Sequence, residues 1–173
     1  MNVEELKEGA EHAHNAVQKR ISLTMAIVAI LLATASLLSH RAHTEEVVLQ
    51  TKANDQWGFY QAKNIRSHMY AADAKLADLM ANGKEVVGDF NKDSEKQKKD
   101  AEEIRKEAEG LDKETKVIEH RANYYDTAEL FLEVSIVLCS IALLGETKAL
   151  WQLSMVTTLI GVAVAVYGLV AIH

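Results

Sequence analysis

Residues 40–126 form a long polar stretch between two apolar segments, and no proline interrupts it or any other part of the 173-residue chain. Proline removes a backbone donor and clashes with the preceding helical turn, so a chain without it can run in very long helices. Within the stretch Ala101, Ile104, Ala108, Leu111, Thr115, Ile118, Ala122 and Tyr125 recur at alternating spacings of three and four. That spacing returns one row of side chains to a single helix face, and the positions between are mostly Glu, Lys, Arg and Asp. Upstream, Ala62, Ile65, Met69, Ala72, Leu76 and Leu79 repeat the pattern. Asn82-Gly83 lies between the two rows and reads as a turn, with glycine in the left-handed position beyond a helix C-terminus.

Reflection about that turn sets Ala62 against Ile104, Ile65 against Ala101, Leu76 against Phe90 and Leu79 against Val87. It also sets Val48 against Ile118 and Thr51 against Thr115. The expectation is a long antiparallel coiled-coil helical hairpin over residues 39–127, with its tip near 82–91. Val86, Val87 and Phe90 cap the row there. Asp93 or Ser94 starts the second arm, where Ser94 and Gln97 have the spacing of a capping box.

The rest of the chain reads as membrane. Hydrophobic residues make up 49% of the sequence and gather in three segments, 21–38, 128–144 and 150–172. About 20 apolar residues are needed to cross the hydrocarbon as a helix, and the first segment is close to that limit. Lys19-Arg20 precede it and His40-Arg41 follow. Ala33-Thr34-Ala35 has the small residues of a signal-peptide cleavage site, but the segment is read as a retained signal-anchor helix. Residues 1–20 form a short amphipathic lead-in with Val3, Leu6, Ala10, Ala13 and Val17 on one side. Glu8, Glu11, His12 and His14 among them read as solvated rather than metal-binding. Trp151 and Tyr167 bracket the third segment as interfacial aromatics do, and Gly161, Ala165 and Gly168 offer small residues for helix contact. The fold class is therefore an all-α membrane protein with three transmembrane helices, the hairpin standing between the first and second.

Charge and motif content narrow the function. A net charge of −6 spread along helices is no footprint for nucleic acid. The single cysteine, Cys139, lies in an apolar segment and cannot form an intramolecular disulfide. No phosphate-binding glycine loop, no catalytic set and no cofactor or zinc spacing is present. A cation site from His40, His43, Glu46 and His120 is the less specific reading of residues that ordinarily sit at an interface.

Two groups of side chains stand out. Leu49, Ala53, Trp57 and Tyr60 form a second apolar stripe on the first arm, displaced from the hairpin row, and are assigned to contact with another copy of the chain. An alternative folds Trp57 into the notch at Gly110. Glu129 and Glu133, four apart on one face, lie at and inside the second apolar segment, where a charge is costly. Glu133 is expected to pair with Arg41 or His40 or to bond Ser36. The other reading makes Glu129, Glu133, His40 and His43 an ion or proton site.

The residues from Ser39 to Glu46, Gln50 to Trp57 and Tyr60 to Lys63 resemble the signature of a bacterial membrane-protein family catalogued as domain of unknown function 4337. The likeness extends over most of the chain and the three apolar segments. It implies a bacterial inner-membrane location and no established activity. The short basic flank at Lys19-Arg20 favours a cytoplasmic N-terminus and a periplasmic hairpin. The resulting expectation is a non-enzymatic subunit in the lipid bilayer that self-associates through its stalk, or joins another membrane protein, as a scaffold or tether. The alternative is an oligomeric ion-conducting or cation-sensing assembly.

Overall fold

The computed structural model describes residues 3–80, 83–145 and 147–170, with side chains described from residue 15 onward. Among these residues are three α-helices and no strand: α1, Val3–Asp78; α2, Lys84–Gly145; and α3, Lys148–Val170. Each contains a stretch long and apolar enough to cross a membrane. The amphipathic row from Val3 to Ala13 with His12 and His14, Asn82 at the expected turn, and residues 171–172 of the third segment lie outside the described side chains or residues.

Nothing in α1 is strong enough to break it. Gly58 costs about 1 kcal/mol in a helix interior, far less than proline would. Thr24, Thr34 and Thr51 turn their hydroxyls back to the carbonyls of Arg20, Ile30 and Val47 at 2.8–2.9 Å, which satisfies them without a partner helix.

The chain divides into two compact units, one from Met1–His43 with Val117–His173, the other from Thr44–Lys116. In the first, apolar unit, α1 contributes Ile21, Val28, Ala35, Ser39 and Ala42 to the interior. α2 contributes Ile118, Ala122, Tyr125, Ala128, Leu132, Ser135, Cys139 and Ala142, and α3 contributes Ser154, Gly161 and Gly168. Most are small, so the helices approach closely, as helices do where apolar solvent gives no drive to bury large side chains. Val28, Ala35 and Leu132 form its core, with Leu31, Leu32 and Ile136 packed against them. The small residues of α3 recur every seven positions. A methyl group added at Gly161 would stand 3.1 Å from the Ala128 carbonyl oxygen, and one at Gly168 would stand 2.9 Å from Tyr124 Cβ.

In the second, polar unit, α1 and α2 touch through Trp57 and Asp112, Lys63 and Asp100, Ser67 and Ser94, and Tyr70 and Phe90. Residue numbers rise along α1 as they fall along α2, so the two segments run in opposite directions. The α2 row expected from the sequence lies against α1: Ala101 and Ala108 are 2% and 0% exposed, and Ile104, Leu111 and Thr115 are half-buried.

Three expectations are corrected. The expected α1 row faces outward, with Ile65 and Met69 each 59%, Leu76 61% and Leu79 84% exposed. The residues turned inward are instead Leu49, Ala53, Ser67, Ala74 and Ala77. Phe90 accordingly stacks on Tyr70, centroids 6.4 Å apart, and not on Leu76. Second, α2 begins at Lys84, so Ser94 is an interior residue rather than a cap and spends its hydroxyl on α1. Third, Gly83 is not left-handed. It is required because a side chain there would overlap the Ala77 carbonyl, its Cβ standing 1.8 Å from that oxygen.

Candidate functional site

The expected ion-site residues lie in the apolar unit. Ser39 and His43 are one helical turn apart on α1 and converge on Asp126, the last acidic residue before the α2 apolar segment. The Ser39 hydroxyl donates to Asp126 Oδ1, and His43 Nε2 lies 3.0 Å from Oδ2. Burial pushes the Asp126 carboxyl up, but the bonds from Ser39 and His43, with the His43 charge, outweigh it and hold the group below its ordinary range. The three residue types are those of a hydrolytic triad in a different order. A serine hydroxyl has one proton, and here it goes to the carboxylate instead of to a base. The chemistry is that of a clamp joining α1 to α2. The same reflection about Asn82-Gly83 that pairs Ala62 with Ile104 also puts His40 opposite Asp126, one residue from Ser39; the spacing of Ser39 and His43 is the signal that identifies the pair.

Glu133 is exposed and Glu129 half-buried. Among the described residues Glu133 has no ion-pair or hydrogen-bond partner, so the expected bonds to Arg41, His40 or Ser36 are not made. It shares its outward face with Leu130, Val134, Val137 and Ile141, which are 43–59% exposed. His40 is also exposed. Among the described residues no three His, Cys, Asp or Glu side chains converge as metal ligands.

A polar network missed by the sequence reading holds α2 to α3. Ser135 Oγ donates to the Ser154 carbonyl at 2.8 Å and lies 2.6 Å from Thr158 Oγ1. Cys139 donates to Ser154 Oγ at 3.1 Å, and that hydroxyl donates onward to the Trp151 carbonyl at 2.7 Å. Ser135 and Ser154 are fully buried. Such bonds matter most where water cannot replace them. Trp151, expected as an interfacial anchor, also donates its indole N–H to Thr24 Oγ1 at 3.2 Å and so joins α3 to α1.

In the polar unit the stripe assigned to a second copy is occupied within the chain. Leu49 and Ala53 are 8% and 1% exposed. Trp57 is half-buried, donates to Asp112 Oδ2 at 2.9 Å, and meets Tyr60 edge-on at 5.6 Å. Gly110 has open space where a side chain would stand, so it is no notch for the indole. The Asp100 carboxyl is held below its ordinary range, first by its hydrogen bond from Lys63, at 2.7 Å. Ser67 and Ser94 each donate to the other's carbonyl, at 3.0 and 2.9 Å, which requires close backbones.

The outward faces of the two helices in this unit differ. On α2 the exposed residues between Asn91 and Lys116 are almost all Lys, Glu or Asp, and a shallow recess on it is lined by Asp89, Lys92, Asp93, Glu95, Lys96, Lys98, Lys99 and Glu102. On α1 the outward row is Ala62, Ile65, Met69, Ala72 and Leu76.

A family model described as a domain of unknown function (DUF4337) matches residues 17–171, which include the first two apolar segments, all but the last residue of the third, and the whole polar unit. No curated protein and no solved structure is similar enough to match.

Proposed function

We propose that this chain, which belongs to the DUF4337 family, is a non-enzymatic integral membrane protein that self-associates through a helical stalk and serves as a scaffold, tether or accessory subunit. The stalk is an antiparallel coiled-coil hairpin, and the membrane is a bacterial inner membrane with the stalk on its outer side, as the basic flank at Lys19-Arg20 favours. One observation carries self-association: the chain exposes the wrong chemistry to each solvent. The polar unit presents Ile65, Met69 and Leu76 to water, and the apolar unit presents Glu133 among Leu130, Val134 and Val137. Each mismatch is relieved by covering it with protein.

The test is the native mass of the full chain in lipid nanodiscs. A discrete homo-oligomer is expected; a monomer at all concentrations refutes self-association. The outward Glu133 also favours a second reading, an ion-conducting or cation-sensing assembly using Glu129, Glu133, His40 and His43. That reading requires Glu133→Gln to alter cation flux through reconstituted vesicles, and an unchanged flux removes it.

A further inference from the structure

We propose that the outward row of α1, Ala62, Ile65, Met69, Ala72 and Leu76, continued by Leu79, is the surface on which a second copy of this chain docks in parallel and in register. The inference rests on the self-association proposed above and adds the face, direction and pairing.

The neighbouring helix acts as an internal control. In the same unit α2 covers its outward face with charge, as a helix in water does, whereas α1 carries apolar residues there at spacings of three and four. Four of them, Ile65, Met69, Leu76 and Leu79, are 59–84% exposed. Together they make a patch on the order of the few hundred Å² that marks an interaction site. The row is unbroken by charge from Ala62 to Leu79 and ends upstream at Asp55. It lies across the helix from Ser67, Ala74 and Ala77, which are engaged with the chain's own α2. Using it therefore disturbs nothing inside the protomer.

The spacing identifies the occupant. Alternating threes and fours form the seam of a two-stranded coil, and a helix carrying such a seam is complementary to its own copy. Copies inserted in one membrane with one topology carry α1 in the same chain direction, which selects the parallel arrangement. In that arrangement Ile65, Met69 and Leu76 each meet the identical residue. His68 of one copy, just before a seam position, falls beside Asp73 of the partner subunit, and the pair occurs twice by symmetry. Both residues are exposed in the protomer and flank the row on opposite sides. The remaining flanks, Gln61 with Arg66 and Lys75 with Met80, bring no like charges together. The charge pattern thus accepts a parallel copy.

Single cysteines placed in a Cys139→Ala background and oxidised in native membranes test the proposal. Ile65→Cys, Met69→Cys and Leu76→Cys are expected to give covalent dimers at least five-fold more than Lys106→Cys on the charged face of α2. Equal or lower cross-linking of the row overturns the proposal. Cross-linking of Ile65→Cys only to Leu76→Cys in mixed membranes overturns the parallel direction. Ile65→Lys combined with Met69→Lys is expected to dissociate the oligomer with helical content unchanged, because both residues are exposed in the protomer. His68→Asp is expected to weaken association two- to five-fold, and adding Asp73→His is expected to restore it. An oligomer that survives the double lysine variant overturns this face while leaving self-association standing; a wild-type chain that is monomeric overturns both.

Discussion

Replacing single glycines by alanine is expected to change stability with opposite sign at two kinds of position. At Gly58, Gly88 and Gly110 nothing stands within 4 Å of the added methyl, and all three are inside helices. There the substitution gains only helix propensity and lost unfolded-state freedom, about 0.5–1 kcal/mol each. At Gly161 the methyl would meet the Ala128 carbonyl oxygen and Leu132 Cγ at 3.1 Å and Phe131 Cβ at 3.2 Å. These contacts are tighter than ordinary, and a backbone carbonyl in a helix has little room to yield. Overpacking of this kind costs about 1–3 kcal/mol, which exceeds the propensity gain. Gly161→Ala is therefore expected to destabilise by roughly 0–2 kcal/mol, and to differ from Gly110→Ala by about 1–3 kcal/mol in total. Gly161→Leu should prevent α3 from seating on α2. The assay is reversible denaturant unfolding in mixed micelles, followed by helical circular dichroism, with the four alanine variants measured side by side. If Gly161→Ala stabilises the protein as much as Gly110→Ala, the close approach of α3 to α2 is wrong.

Three further predictions follow from bonds between helices. Because the folded Asp126 carboxyl lies below its unfolded value, its contribution is complete above the ordinary carboxylate range and is lost as pH falls through the lowered folded value. Hydrogen exchange around Ser39 and His43 should accelerate in that acid window, and Asp126→Asn should remove the dependence. Trp57→Phe keeps an aromatic side chain, though a smaller one than the indole, and loses the donor to Asp112, at a cost of about 1 kcal/mol for the half-solvated bond; an unchanged unfolding midpoint would contradict the bond. Ser67→Ala and Ser94→Ala should each cost about 0.5–1.5 kcal/mol, and the double variant should cost less than their sum because the two hydroxyls share one contact.

How much of this was legible from sequence differs between the two arms. The α2 row could be read directly because between Ala101 and Lys116 every flanking position except Gly110 is charged, and only one face is apolar. The three apolar segments were legible for the same reason, composition alone setting them apart. The Ser135, Ser154 and Thr158 network was not, because small hydroxyl residues in an apolar segment can bond their own helix, as Thr34 does, or a neighbour. Only the placement of α3 against α2 distinguishes the two. The clamp at Asp126 was missed by one residue: the reflection set His40 there, where Ser39 and His43 on either side of it make the bonds.

The α1 arm shows why hydrophobicity alone assigns the wrong face. It carries two rows, one of large residues (Ile65, Met69, Leu76) and one of small ones (Ala53, Ser67, Ala74, Ala77). Transfer free energy favours burying the first, by about 1.5–3 kcal/mol for each large side chain. Against α2, however, the available partners are Ala101, Ala108 and the Ser94 hydroxyl, which reward close backbone approach. The small row permits the reciprocal serine bonds and leaves Tyr70 free to stack on Phe90, contacts that the large row would hold too far apart. Leaving the large row outside is unfavourable for a lone chain in water and costs little where copies are held together in one bilayer. The effective concentration of α1 segments is raised there by anchorage, so even a short seam can be occupied. On that argument the face chosen inside the protomer is stable because the other face is used between protomers. A chain truncated to residues 44–116, freed of its anchor, should then be less stable than the anchored unit and should gain stability with its own concentration.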